Sequence, residues 1–135
     1  MALLDTHTWS WMLTVDPILN PSVREAIDTA DQLYLSPVSF YEIAQKVRLG
    51  KWSLMEPFVD NLPKLALESG LAIAPVSAEI ALLAGTLNWP HRDPFDRMLA
   101  ATALVNGWVL ISADTAFDSL IGLRRVWKGA KATSP

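Results

Sequence analysis

The chain contains no cysteine, which excludes a disulfide framework and any thiolate metal site. That absence is compatible with a reducing compartment, and a cytoplasmic location is expected. Histidine is scarce too: His7 and His91 are the whole supply, and they form no pair at helical spacing of the kind zinc sites use. No uncharged apolar run approaches the roughly 18 residues that a membrane span needs. Asp5 and His7 interrupt the apolar start and no basic region precedes them, so no signal peptide is expected. The expectation is a soluble protein with no membrane partner. An excess of positive charge is also missing. Eleven Lys and Arg stand against 14 Asp and Glu, a formal net charge of −3. This excludes a globally basic nucleic-acid binder, but not an enzyme that reaches phosphates through metal ions or a local basic patch.

What is present is a high apolar content. The 135 residues suit one domain large enough to bury a core without staples. A hydrophobic fraction of 51% with six tryptophans fits either a generous core or an apolar surface kept for a partner. Trp9, Trp11, Met12, Trp52 and Phe58 are the residues in question, on or near the first and third helices.

Ala2-Leu3-Leu4 reads as a buried first strand that runs into Asp5-Thr6-His7-Thr8. A short helical segment from Trp9 to Leu13 follows, and then a helix opened by Asn20-Pro21-Ser22. A second strand spans Gln32 to Leu35, and a helix from about Val38 to Leu49 stops at Gly50. Pro57 to Glu68 reads as one helix, Leu71 to Ala74 as a third strand, and Ser77 to Leu87 as a helix capped by Ser77. The stretch Asp93-Pro94-Phe95-Asp96-Arg97 reads as a helix start. Asp93 is the N-cap, Pro94 takes the first helical position, and Asp96 stands at the positive end of the helix dipole. That helix ends at Asn106-Gly107. A fourth strand, Trp108 to Ile111, delivers Ser112-Ala113-Asp114, a helical turn follows near Phe117, and Arg124 to Trp127 is expected as an edge strand. No internal repeat or linker interrupts the chain. Strands alternating with helices predict an α/β fold, a three-layer α/β/α sandwich around a mostly parallel sheet. One domain is expected over residues 1–128, with a loose tail over 129–135.

In an open parallel sheet, ligand sites gather beyond the carboxyl ends of the strands. Asp5 follows the first strand and Asp114 the fourth. Glu42 lies early in the helix after the second strand, and Asp96 opens the helix before the fourth. All four acids are therefore expected at one edge. Each has a purely structural alternative: Asp5 and Asp114 as caps, Asp96 as a dipole partner, and Glu42 in a Ser39-x-x-Glu42 capping box. Carboxylates gathered in one place repel unless a cation compensates them. Oxygen donors without cysteine or paired histidine favour Mg²⁺ or Mn²⁺ over zinc, and such sites commonly serve phosphate-ester chemistry.

Leu3-Leu4-Asp5-Thr6-His7-Thr8-Trp9, Ser36-x-x-Ser39-x-x-Glu42-Ile43-Ala44, His91-Arg92-Asp93-Pro94-Phe95-Asp96-Arg97 and Ile111-Ser112-Ala113-Asp114 resemble the PIN-domain ribonucleases, in particular the VapC-type toxins of bacterial toxin–antitoxin pairs. The resemblance runs in order from Ala2 to about Trp127, and the Asp-Pro-Phe-Asp-Arg block is its most specific part. It implies metal-dependent endoribonuclease activity, an RNA substrate and a cognate antitoxin. Its acids fall on Asp5, Glu42, Asp96 and Asp114. Asp5, Asp96 and Asp114 would be metal ligands, with Glu42 a ligand directly or through water. Ser112 would be a supporting hydroxyl, and Thr6 and Asp93 further supporting residues. His91, Arg92 and Arg97 are candidates for RNA phosphate contacts, with an ion pair to Asp93 or Glu42 as the alternative for Arg97. Lys46, Arg48 and Lys51 are candidates for a basic rim, or else a solvated helix face. A homodimer is expected, as the commonest oligomer, together with a groove for an antitoxin segment. The rival from another class is a catalytically silent interaction module on the same fold. A dehalogenase-like phosphatase would want a second acid where His7 stands, and a receiver domain a late strand-end lysine, which is missing between Lys64 and Lys128.

Overall fold

A computed structural model describes residues 1–127 and 131–133. Among them are six strands and six α-helices: β1 Ala2–Leu4, α1 Thr6–Leu13, α2 Pro21–Thr29, β2 Leu33–Leu35, α3 Pro37–Arg48, α4 Leu62–Glu68, β3 Ala72–Ile73, α5 Ala78–Thr86, α6 Pro94–Asn106, β4 Val109–Ile111, β5 Arg125–Trp127 and β6 Lys131–Thr133. Two 3₁₀ segments, Ser53–Asn61 and Thr115–Ser119, complete them. The sheet order is β3-β2-β1-β4-β5-β6. The first five strands pair in parallel and β6 adds antiparallel to β5. The mostly parallel α/β/α architecture is the one expected.

Strand β1 explains the layering. Its Ala2, Leu3 and Leu4 are all buried, as a central strand covered on both faces requires. Ala2 and Leu4 join Trp9, Val23, Ile43, Leu62, Ile111 and Val126 in the core beneath α1 to α4. Leu3 points the other way, with Leu110, into a second core made with Leu99, Ala100 and Ala103 of α6. Helix α5 lies outside α6, where Ile80 and Ala84 pack on Ala101. The chain leaves β1 for β2 and β3 on one side and returns to β4 on the other, so the strand order reverses between β1 and β4. Such a reversal opens a crevice at the carboxyl edge of the sheet.

Several elements differ from expectation for identifiable reasons. Helix α1 starts at Thr6, directly after Asp5, with its threonines and Ser10 buried. The helix expected from Pro57 to Glu68 is divided. Pro57 lies inside the 3₁₀ segment and Pro63 in the first turn of α4, and a proline offers no N–H to a continuous helix. Helix α3 is capped by Ser36, which accepts from Val38 N–H, so the Ser39–Glu42 capping box does not form. Strand β5 is not an edge, because β6 pairs with it. That strand lies within the expected tail; residues 128–130 and 134–135 fall outside the described residues.

Helix α6 begins as expected. Asp93 Oδ1 accepts from the N–H groups of Phe95 and Asp96 at 2.8 and 3.3 Å, and Gly107 closes the helix at φ 69°, a left-handed cap suited to glycine. Removing the cap with Asp93→Ala is expected to cost about 1 kcal/mol of folding stability in urea denaturation. An unchanged midpoint would show that the cap contributes nothing.

Candidate metal centre at the carboxyl edge of the sheet

Four elements meet at the β1–β4 crevice. The residues that end β1 and β4, the second turn of α3 and the first turn of α6 together line a cavity of about 340 Å³. Its walls carry Asp5, Glu42, Asp93, Asp96 and Asp114, with His7, Trp11, Lys46 and Ala113. All four of the expected acids are therefore brought together, and Asp93 joins them. Helix α6 contributes because helices of a parallel α/β unit run back against the strands, so its N-terminus lies at the strands' carboxyl edge.

The acids differ in what holds them. Asp5 stands at the N-cap of α1, yet its side chain makes no capping bond. It is only 6% exposed and accepts the Ser112 hydroxyl at 2.6 Å. The same Ser112 oxygen accepts Asp114 N–H at 3.0 Å, so one hydroxyl ties the end of β1 to the loop after β4. Thr6 reaches Ser39 at 2.8 Å in the core, linking α1 to α3. Glu42 is 3% exposed, caps nothing, and is paired with Lys46 one turn along α3. Asp96 is joined to His91 at 2.7 Å. Asp114 caps the following 3₁₀ turn by accepting from Ala116 N–H at 2.9 Å, so its structural alternative holds alongside its place in the cavity wall.

Among the described residues, no three His, Asp or Glu side chains are drawn tightly around one point; each acid turns to a local donor or cation. Like charges at close quarters favour that arrangement. Burial holds the Asp5 carboxyl above its ordinary range, opposed by the Ser112 hydrogen bond and His7 and reinforced by the charge of Glu42. Burial likewise lifts Asp96 from 3.8 to about 6, with Asp93 and Asp5 adding to the rise and His91 opposing it. The acids on the cavity wall offer carboxylate oxygens, the donor type that hard divalent cations prefer.

The three candidate phosphate contacts separate. His91 is turned inward to Asp96, and Arg92 is exposed. Arg97 is a correction: its guanidinium donates to the carbonyls of Ala84, Leu87, Trp89 and His91 at 2.7–2.9 Å. It ties the end of α5 and the loop after it onto α6, and forms no ion pair with Asp93 or Glu42. Trp9 is fully buried and so is not available to a partner, whereas Trp11, Trp52, Met12 and Phe58 are partly buried.

Sequence reasoning missed His7 and Trp11 as cavity residues. It also missed Arg125, which is buried, forks onto Asp118 at 2.8 and 3.0 Å and donates to the Ser112 carbonyl at 2.9 Å. Arg125 steadies from β5 the residue that holds Asp5. The Glu42–Lys46 i,i+4 spacing was a usable signal for the role of Lys46; an arginine inside a short strand offered none.

The PIN domain family model matches residues 2–123. The chain belongs to the PIN-domain family. Ribonuclease VapC22 of Mycobacterium tuberculosis is 30% identical over 119 residues, which cover 87% of this chain and 89% of that protein, so this PIN domain is of the VapC type. The fold is shared with VapBC2 of Rickettsia felis bound to a promoter DNA fragment (TM-score 0.67, 18% identity, covering 92% of this chain and 96% of that one). It is shared also with a toxin–antitoxin complex from Klebsiella pneumoniae (TM-score 0.60, 17% identity, 90% and 93% covered).

The raised Asp96 has a sign that can be tested in this PIN domain. An acid whose pKa is higher folded than unfolded binds its proton more tightly when folded, so its contribution falls as pH rises from about 3.8 to 6 and stays unfavourable above. Without added metal, Asp96→Asn is expected to stabilise the protein by on the order of 2 kcal/mol at pH 8 and to give no such gain at pH 4. Thermal melts at the two pH values check this, and an equal effect at both would refute the electrostatic origin.

Proposed function

We propose that this PIN domain is a Mg²⁺- or Mn²⁺-dependent endoribonuclease and the toxin of a toxin–antitoxin pair. The observation that carries the reading is the gathering of Asp5, Glu42, Asp96 and Asp114 on one cavity at the β1–β4 crevice. The 30% identity to a VapC ribonuclease supports it, as does a fold shared with VapBC complexes.

In this reading Asp5, Asp96 and Asp114 hold the cation, with Glu42 completing the set directly or through water. The cation, when bound, neutralises charge on the attacked phosphate and lowers the pKa of the attacking water. The chain's own groups do the aiming. The Ser112 hydroxyl fixes one Asp5 oxygen and leaves the other for the site. His91 fixes one oxygen of Asp96 in the same way. Glu42, which caps nothing, orients the water for in-line attack on phosphorus. The attacking water gives up a proton to solvent as its oxygen bonds to phosphorus, the P–O3′ bond breaks, the departing oxygen takes up a proton from solvent, and the ends left are a 5′-phosphate and a 3′-hydroxyl. The exposed Arg92 is the proposed contact for RNA phosphates, while Lys46 balances the charge of Glu42 on the cavity wall.

Two protein partners belong to the proposal, an antitoxin and a second copy of the chain. Helices α3 and α6 leave an apolar groove of about 330 Å³ lined by Pro37, Val38, Tyr41, Pro94, Phe95 and Met98, a surface of the kind that symmetric dimers cover.

The test is cleavage of end-labelled RNA by the purified protein. Cleavage that requires Mg²⁺ or Mn²⁺, stops with a chelator, is abolished by Asp96→Asn and largely survives Asp93→Ala below its melting temperature is the expected result. Cleavage that ignores the chelator or persists in Asp96→Asn would refute the reading.

A further inference from the structure

We infer that the aromatic side chains beside the acids form a nucleobase subsite, with His7 as its contact ring; this rests on the ribonuclease reading above. His7 stands two residues after Asp5 in the first turn of α1, is exposed, and lines the cavity with Trp11. Its ring is stacked on Trp52 with centroids 4.9 Å apart and planes 29° from parallel. Trp11 is tilted to it at 6.0 Å and 50° and is itself braced by Trp127 at 5.8 Å. His7 and Trp11 thus give the acid-lined cavity an aromatic stretch of wall, backed by Trp52 and Trp127.

Trp11 and Trp52 are anchored by packing against the core beneath α1 to α4, so the wall loses little freedom when a flat ligand lies on it. The Lys46 ammonium, 5.6 Å from the centre of the Trp52 ring, lines the same cavity. Lys46, paired with Glu42, thus brings one cation to the cavity edge beside the rings. Flat rings, one cation and an adjoining phosphodiester site match a nucleotide, whose base presents a π-face whatever its sequence. An apolar peptide side chain would use the rings but not the cation.

The experiment is calorimetric titration of the protein, in Mg²⁺, with 5′-AMP and with ribose 5-phosphate, which carries the same phosphate without a base. Binding of 5′-AMP about tenfold tighter than ribose 5-phosphate is expected, the scale of one base–aromatic stack. His7→Ala is expected to remove most of that preference, and His7→Phe, which keeps a flat ring, to restore it. His7 is exposed, so both variants are expected to fold; Trp11→Leu provides a second, independent loss of preference. Equal binding of the two ligands by the wild type, or a preference untouched by His7→Ala and Trp11→Leu, overturns the subsite and leaves the wall to a protein partner. RNA cleavage by the wild-type sample, run alongside, separates the two readings. Cleavage with equal binding overturns the subsite alone, and no cleavage in metal, with a base preference that His7→Ala removes, overturns the ribonuclease reading alone.

Discussion

Parallel pairing forces every crossover in this sheet to begin at the carboxyl edge and return to the amino edge. Residues that end a strand and residues that open a returning helix are therefore neighbours in space, however far apart in the chain. Asp5 and Asp114 belong to the first kind and Glu42 and Asp96 to the second, and the reversal of strand order between β1 and β4 gives them a crevice to line. The rest of the molecule can be read as what is needed to keep several carboxylates at one edge of a domain with a modest net charge of −3. Burial alone would drive them toward their neutral forms, as the raised Asp5 and Asp96 record.

Two frameworks hold the arrangement against that tendency. One runs through the sheet: Arg125 on β5 is clamped by Asp118 and holds the Ser112 carbonyl, while the Ser112 hydroxyl serves Asp5 and Asp114. The other runs through the helices: Arg97 gathers four carbonyls from the end of α5 and the loop that leads to α6, including that of His91, which in turn holds Asp96. Each arginine is held by many partners, so substituting either by lysine is not conservative. The functional reading places charge at the surface of the cavity; these two cations work behind it.

Much of this was legible in the sequence, and the reasons differ by element. The strands were readable because short apolar runs ended in polar loops, and α6 because Asp93-Pro94 and Gly107 carry their own chemistry as caps. The gathering of the four acids followed from topology alone. What failed depended on partners distant in sequence. Ser39 has the spacing of a capping residue, but its hydroxyl is drawn into the core by Thr6, 33 positions away. Arg97 sits among acids in the sequence, yet the carbonyls of the last turn of α5 and the loop after it claim it. The aromatic wall was invisible because Trp52, which precedes the 3₁₀ segment after α3, meets His7 only in the folded chain, and of the two readings open for Trp9, core or partner surface, the structure shows the core. Local signals specify helix ends well; they do not say which of two partners a long side chain will choose.

The account's central claim is that these carboxylates share a divalent cation, and metal binding itself tests it more directly than turnover does. Calorimetric titration of the wild-type protein with Mn²⁺ near pH 7, paired with melting curves at each concentration, isolates that event. The account predicts saturable binding with a melting temperature that rises with occupancy, as mass action requires, and a marked loss of both in Asp96→Asn. No saturable heat at millimolar metal, together with an unchanged melting temperature, would contradict it.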